Sequence, residues 1–214
     1  MALSLRALQG MDHAAIIVRH AERFPLTSVV DSMGVGLTEK GLRDALDFGR
    51  SIPFFPKARV WFSPALRCIQ TAEGIAEGMR ERGTEVLLFQ EEWNLCGPYV
   101  KETDCLIQAE RLGDRFLREW FEGRVDPRII DPAPQAFHMV LDPIIEKLGT
   151  AEGIDVHVSH DWDIMMLRES LFGTKHEAEG WLPYLDGLIF LPSDGGYRAC
   201  YRERCAEVPQ RKMI

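Results

Sequence analysis

Arg19-His20-Ala21-Glu22-Arg23-Phe24-Pro25 places a nucleophilic side chain between two permanent cations. A neutral imidazole carries a lone pair able to attack phosphorus near pH 7. The flanking guanidiniums present paired N–H donors in the fork geometry that suits phosphoryl oxygens. Pro25 would stiffen the exit from the motif. A lone R-H-x-x-R is also what an exposed turn looks like, so its meaning depends on what the rest of the chain brings to it.

Two further segments supply partners. Ser63-Pro64-Ala65-Leu66-Arg67-Cys68-Ile69-Gln70-Thr71-Ala72 sets Arg67 at the start of a helix that follows a strand, so a third arginine can arrive at the same place. Val158-Ser159-His160-Asp161 ends a later strand with an imidazole beside a carboxyl group. His160 would donate to phosphoryl oxygens, and Asp161, when protonated, would give its proton to the departing oxygen. The bland alternative for that pair is a helix-capping aspartate next to a packed histidine.

These groups need a scaffold that collects strand ends. Ala14 to Val18 is a continuous apolar run, as in a strand buried on both faces. Thr38 is a plausible N-cap for a helix from Glu39 to Phe48, with Leu42, Ala45, Leu46 and Gly49 on its inner face. Arg59 to Phe62, Val86 to Phe89, Asp155 to Ser159 and Gly187 to Leu191 read as further strands. Ala65 to Arg82 reads as a helix, and Tyr197 to Arg202 as the return of a hairpin. The alternation predicts an α/β fold, a mostly parallel sheet with helices on both faces and ligands at the carboxyl ends of its strands. Between residues 90 and 150 the strand signal lapses. One long helix from Thr103 to Phe121 and a proline-bounded one near Gln135 to Leu148 are expected there, as a helical insertion or cap within a single domain of residues 1 to 214.

Composition narrows the partners. With 25 Lys and Arg against 33 Asp and Glu, the net charge of −8 disfavours nucleic acid, yet leaves room for a small phosphorylated substrate in a local arginine pocket. No apolar run is long enough for a membrane span and no secretory signal is visible, so the cytoplasm is the expected compartment. The five cysteines lack C-x-x-C spacing and are expected to be reduced. No histidine pair has zinc-ligand spacing. His13, His138, His157 and His176 carry no chemistry on this reading. The Arg111, Arg115, Arg118 series is a solvated face before it is a second phosphate site, and Trp93, Tyr99, Trp120 and Phe121 are either core or pocket wall.

Taken together these motifs resemble the histidine phosphatase superfamily, and its acid phosphatase and phytase branch in particular. The branch pattern R-H-G-x-R-x-P is met by residues 19 to 25 except for Ala21 in the glycine position. Ser63, Arg67, Thr71 and Ala72 match the middle segment, His160-Asp161 the late motif, and Leu182 to Phe190 the closing segment. The resemblance implies a phosphoglycerate mutase-like fold and a phosphomonoester hydrolase that needs no metal or organic cofactor. It implies a phosphohistidine on His20, phosphate held by Arg19, Arg23, Arg67 and His160, and Asp161 as general acid. Two alternatives stay open: a phosphoglycerate mutase-like phosphotransferase using Glu91 or Glu92 as acid, and a catalytically silent phosphate-binding protein.

Overall fold

The computed structural model describes residues 3–150 and 152–209. A seven-stranded sheet runs in the order β3-β2-β4-β1-β5-β6-β7. Its strands are β1 (His13–Arg19), β2 (Lys57–Phe62), β3 (Glu85–Glu91), β4 (Gly153–Ser159), β5 (Gly187–Ser193), β6 (Gly196–Tyr201) and β7 (Arg204–Glu207). The first four in spatial order are parallel, while β5, β6 and β7 continue antiparallel from β1. The helices are α1 (Glu39–Ser51), α2 (Leu66–Glu81), α3 (Thr103–Leu112), α4 (Arg115–Phe121), α5 (Ala133–Leu148), α6 (Asp161–Phe172) and α7 (His176–Glu179).

Side-chain alternation along β1 divides the core. Ala14, Ile16 and Val18 face a layer containing Ala45, Phe48, Ile75 and Met79 from α1 and α2, whereas Ala15 and Ile17 face Val140, Ile144, Ile164 and Met165 from α5 and α6. Both faces of the central strand are therefore buried, which is why it reads as unbroken apolar sequence. The α1 and α2 helices approach closely through glycine: a Cβ at Gly78 would lie 2.3 Å from the Leu46 carbonyl oxygen.

Several expectations need correction. The buried face of α1 is Gly41, Ala45, Phe48 and Gly49, and Leu42 is exposed. The long helix from Thr103 divides into α3 and α4 at Gly113, whose φ of +56° is a conformation that glycine adopts without a side-chain clash. The proline-bounded helix is α5, with proline in its first turn and Pro143 inside it. It covers the central strands and belongs to the same core layer as α6. Cys200 and Cys205 face each other across the β6–β7 hairpin and form a disulfide, so those two are not reduced thiols; Cys68, Cys96 and Cys105 are free. No helix among the described residues is long and apolar enough to cross a membrane.

Candidate active site

Strand register builds the site. Arg19 of β1 is level with Ser159 of β4, so His20 and His160 follow side by side at the carboxyl edge of the sheet, and Phe62 of β2 is level with Val158, which brings Ser63 to the same edge one position behind them. The His20 and His160 ring centroids are 5.7 Å apart. Arg67 enters from the first turn of α2, and Asp161 opens α6. The N-terminal ends of two helices thus meet the same edge, where their dipoles favour an anion.

The backbone of the motif is held from all sides. Arg19 N–H donates to the Asp186 carbonyl at 3.0 Å, His20 N–H to that of Ser159 at 3.0 Å, and Ala21 N–H to Thr71 Oγ1 at 3.0 Å. Thr38 N–H donates to the Glu22 carbonyl at 3.0 Å, and the Thr38 hydroxyl caps α1 by accepting from Gly41 N–H. Gly41 lies so close to the motif that a Cβ there would be 1.9 Å from the Glu22 oxygen.

Hydrogen bonding also fixes the imidazoles. His20 Nδ1 is 2.8 Å from the Ala21 carbonyl, which can only accept, so Nδ1 carries the proton and Nε2 keeps its lone pair. Burial, reinforced by His160 and by Arg67 and Arg19, holds the His20 pKa well below its ordinary value. His160 Nδ1 accepts from Arg67 Nη2 at 3.2 Å, and its Nε2–H donates to Ser63 Oγ at 2.7 Å. Burial first, and the Arg67 cation second, push the His160 pKa down to about 3. Both imidazoles are neutral at pH 7.

Arg19, Arg23, Arg67, His160 and Asp161 all line one cleft with His20, with a cavity volume of about 550 Å³. Arg67 is anchored by Nη1 on the Ser32 carbonyl at 2.6 Å. Arg19 donates to the Leu182 carbonyl, lies over the Tyr184 ring at 4.3 Å, and pairs with Asp161 at 2.9 Å. Burial pushes the Asp161 pKa up, but Arg19 and the Trp181 indole N–H at 2.9 Å oppose it, and the carboxyl stays below its usual range. The structure thus brings His20, Asp161, Arg19, Arg23, Arg67 and His160 together in one cleft. Glu91 and Glu92 are not part of the cleft lining; the Glu92 carboxylate lies 3.2 Å from Lys147.

Sequence reasoning missed several residues here. Asp163 lines the cleft from below, fully buried, with Tyr99 Oη donating to its Oδ1 at 2.7 Å. Ser159 Oγ lies within hydrogen-bonding distance of both Asp163 Oδ2 and the Leu95 carbonyl, the latter at 3.0 Å. A hydroxyl has one proton, so both contacts are satisfied only when Asp163 is protonated and donates to Ser159, which donates to Leu95. Burial pushes its pKa up to about 6, in the direction of the protonated form. Its i+2 spacing from Asp161 was the available signal. Trp162, Trp181 and the loop residues Leu26, Val29 and Met33 also line the cleft, without any motif to mark them. Of the aromatics considered beforehand, Tyr99 lines the cleft, Trp120 is core and Trp93 is 65% exposed. His157 is core, stacked on Trp61 at 5.0 Å. Among the described residues no cluster of three or more His, Cys, Asp or Glu is disposed to hold a metal ion.

Comparison with known proteins bears on the fold and the family. No curated protein matches the chain in sequence. Solved structures share its fold: YhfR of Bacillus stearothermophilus (TM-score 0.59, 19% identity, 86% of this chain and 94% of that one) and phosphoglycerate mutase of Bacillus anthracis (0.56, 14%, 90% and 93%). A phosphoserine phosphatase of Entamoeba histolytica, solved as a mutant with phosphoserine, is similar at TM-score 0.54 and 15% identity, over 87% of this chain and 94% of that one. The family model that matches, over residues 15–178, is that of branch 1 of the histidine phosphatase superfamily, so the expected likeness to the acid phosphatase and phytase branch is not shown. The chain therefore belongs to the histidine phosphatase superfamily, branch 1.

Proposed function

We propose that this protein is a phosphomonoester hydrolase that works through a phosphohistidine on His20. The observation that carries the reading is the His20 tautomer: Nδ1 is committed to the Ala21 carbonyl, leaving the Nε2 lone pair among three guanidiniums in one cleft. Arg19, Arg23 and Arg67 bind the phosphoryl oxygens, and His20 Nε2 attacks phosphorus as the bond to the ester oxygen breaks. Asp161 gives its proton to that oxygen. In the resting site Asp161 is ionised against Arg19. A phosphoryl group in the cradle draws Arg19 away and repels the carboxylate, and both effects raise its pKa. In the second half, Asp161 takes a proton from water as its oxygen attacks phosphorus, and the electrons of the P–N bond return to Nε2. A phosphate that engages Arg67 likewise favours protonation of His160, which then donates to a phosphoryl oxygen.

The His160–Asp161 pair is the feature shared with the acid phosphatase and phytase branch, and we extend that likeness only to the role of Asp161. The phosphoglycerate mutase of the same fold keeps a phosphotransferase in view, with Glu91 or Glu92 as acid. The cleft lining of Asp161 and the Glu92–Lys147 pairing favour hydrolysis with Asp161. A cytoplasmic site of action is part of the same proposal; the Cys200–Cys205 bridge weighs against it, and alkylating free thiols in intact cells before mass analysis decides. The deciding experiment for the chemistry is rapid quenching with a panel of phosphate esters and a search for acid-labile phosphate on His20. Turnover that survives His20→Ala rules the mechanism out, and absence of both label and release favours a silent phosphate-binding protein.

A further inference from the structure

We infer that the alcohol part of the substrate is apolar and uncharged, so that the phosphoryl group is its only anion. This rests on the hydrolase reading above and concerns what lies beyond the phosphoryl seat. The cleft volume of about 550 Å³ is in the range, on the order of 300–1,000 Å³, that holds a whole organic ligand and not a phosphoryl group alone. Its walls are Leu26, Val29 and Met33 from the loop after the motif, Val100 and Leu106 before and on α3, and Trp162 on α6. Among the described residues, the ionisable acidic and basic side chains lining the cleft are Arg19, Arg23, Arg67, Asp161 and Asp163, together with the two imidazoles. All belong to the phosphoryl seat or lie beneath it.

A second anion on the substrate would need a second cation, and beyond Arg19, Arg23 and Arg67 no Lys or Arg among the described residues lines the cleft. Arg118 is bound by Glu169 and Glu177 at 2.7 and 2.6 Å, and neither Arg111 nor Arg115 is part of the cleft lining. Glu110 of α3 accepts from Ser28 Oγ at 2.8 Å and from Val29 N–H, which fastens the apolar loop carrying Val29 to the same helix as Leu106. A carboxylate placed against these walls loses hydration without gaining a partner, whereas a hydrocarbon chain gains by leaving water. The Ser32 carbonyl on Arg67 ties the same loop to the phosphoryl seat, so the wall and the cation move as one piece.

The test uses the wild-type protein with unbranched alkyl phosphates of increasing length, 3-phosphoglycerate and phosphoserine, and phosphoramidate as a donor whose leaving group is ammonia. The expected result is a kcat/KM that rises about fourfold per added methylene until the cleft is full, the equivalent of about 0.8 kcal/mol each. Both carboxylate-bearing esters should fall at least about a hundredfold below hexyl phosphate, two factors of ten at 1.4 kcal/mol apiece. Leu106→Lys should flatten the chain-length dependence and raise 3-phosphoglycerate relative to hexyl phosphate. If phosphoramidate labels His20 but kcat/KM is flat with chain length, or 3-phosphoglycerate is preferred, the inference is overturned while the hydrolase reading stands. If nothing labels His20 and no ester is turned over, both fall together.

Discussion

Arg19 Nη2 stands 2.9 Å from Asp161 Oδ2, and both groups line the cleft with His20. The pairing keeps the resting carboxylate ionised, and on the proposed mechanism the phosphoryl group that binds beside it is what changes its protonation. Asp161→Asn keeps the shape and removes the transferable proton. It should lower kcat for alkyl phosphates by about 10²–10⁴, the usual worth of a positioned general acid. An ester with a good leaving group, such as p-nitrophenyl phosphate, should be hydrolysed by the variant with a much smaller loss. Equal losses on the two substrates would remove Asp161 from the role of acid.

Arg67 holds the Ser32 carbonyl and His160 Nδ1 with two separate nitrogens, and a lysine ammonium cannot span both while also facing a phosphate. Arg67→Lys should weaken inhibition by vanadate on the order of tenfold to a hundredfold, matching the loss of one charge-assisted hydrogen bond. Competitive inhibition measured at fixed pH checks this. An unchanged inhibition constant would mean that the guanidinium does not hold the phosphoryl oxygens.

The grouping at the sheet edge was legible because the strands are short apolar runs ending in polar motifs, and parallel strands in register deliver those ends to one edge. The nucleophile, the arginines and the His160–Asp161 pair carry their chemistry in residue type and could be picked out one by one. Leu26, Val29, Met33 and Leu106 could not, because an apolar residue looks the same in a core, on a loop or on a cleft wall. Asp163 was missed for a related reason. Besides nearby Ser159, its partner is Tyr99, which arrives from a distant part of the chain. The antiparallel strand β7 and its disulfide were hidden by a charged segment, Arg202-Glu203-Arg204, whose turn sets Cys200 opposite Cys205.

His157 gives a pH prediction away from the cleft. Burial holds its folded pKa down to about 3, whereas an unfolded imidazole takes a proton near ~6.5. Between those values the unfolded chain binds a proton that the native protein refuses, so stability falls as pH falls. The contribution is up to ~1.4 kcal/mol per pH unit once the unfolded imidazole is titrated. Asp163, whose folded pKa is pushed up to about 6, acts in the opposite sense at lower pH, as do the raised Asp155 and Asp186, so the whole-chain slope is a mixed sum. The clean measurement is the difference between wild type and His157→Gln in urea unfolding from pH 7 to pH 5. The variant should lose less stability on acidification, and parallel curves would show that His157 does not titrate differently on folding.

Gly41 and Thr38 test whether α1 locates the motif or merely neighbours it. Thr38→Ala removes the cap on Gly41 N–H and should cost about 1 kcal/mol of unfolding free energy, with catalysis altered little, because the Thr38 backbone N–H still holds the Glu22 carbonyl. Gly41→Ala is a different kind of change: its Cβ would meet the Glu22 oxygen at 1.9 Å, so either the helix or the motif must shift. A shift of the motif displaces His20 against Arg67 and His160, which are fixed to other elements, and misplacement by about 1 Å can cost ~10²-fold in rate. Gly41→Ala should therefore lower kcat for p-nitrophenyl phosphate more than Thr38→Ala does at matched stability, with both variants assayed well below their unfolding midpoints. A Gly41→Ala protein with wild-type kcat would show that the motif is set by β1 and β4 alone.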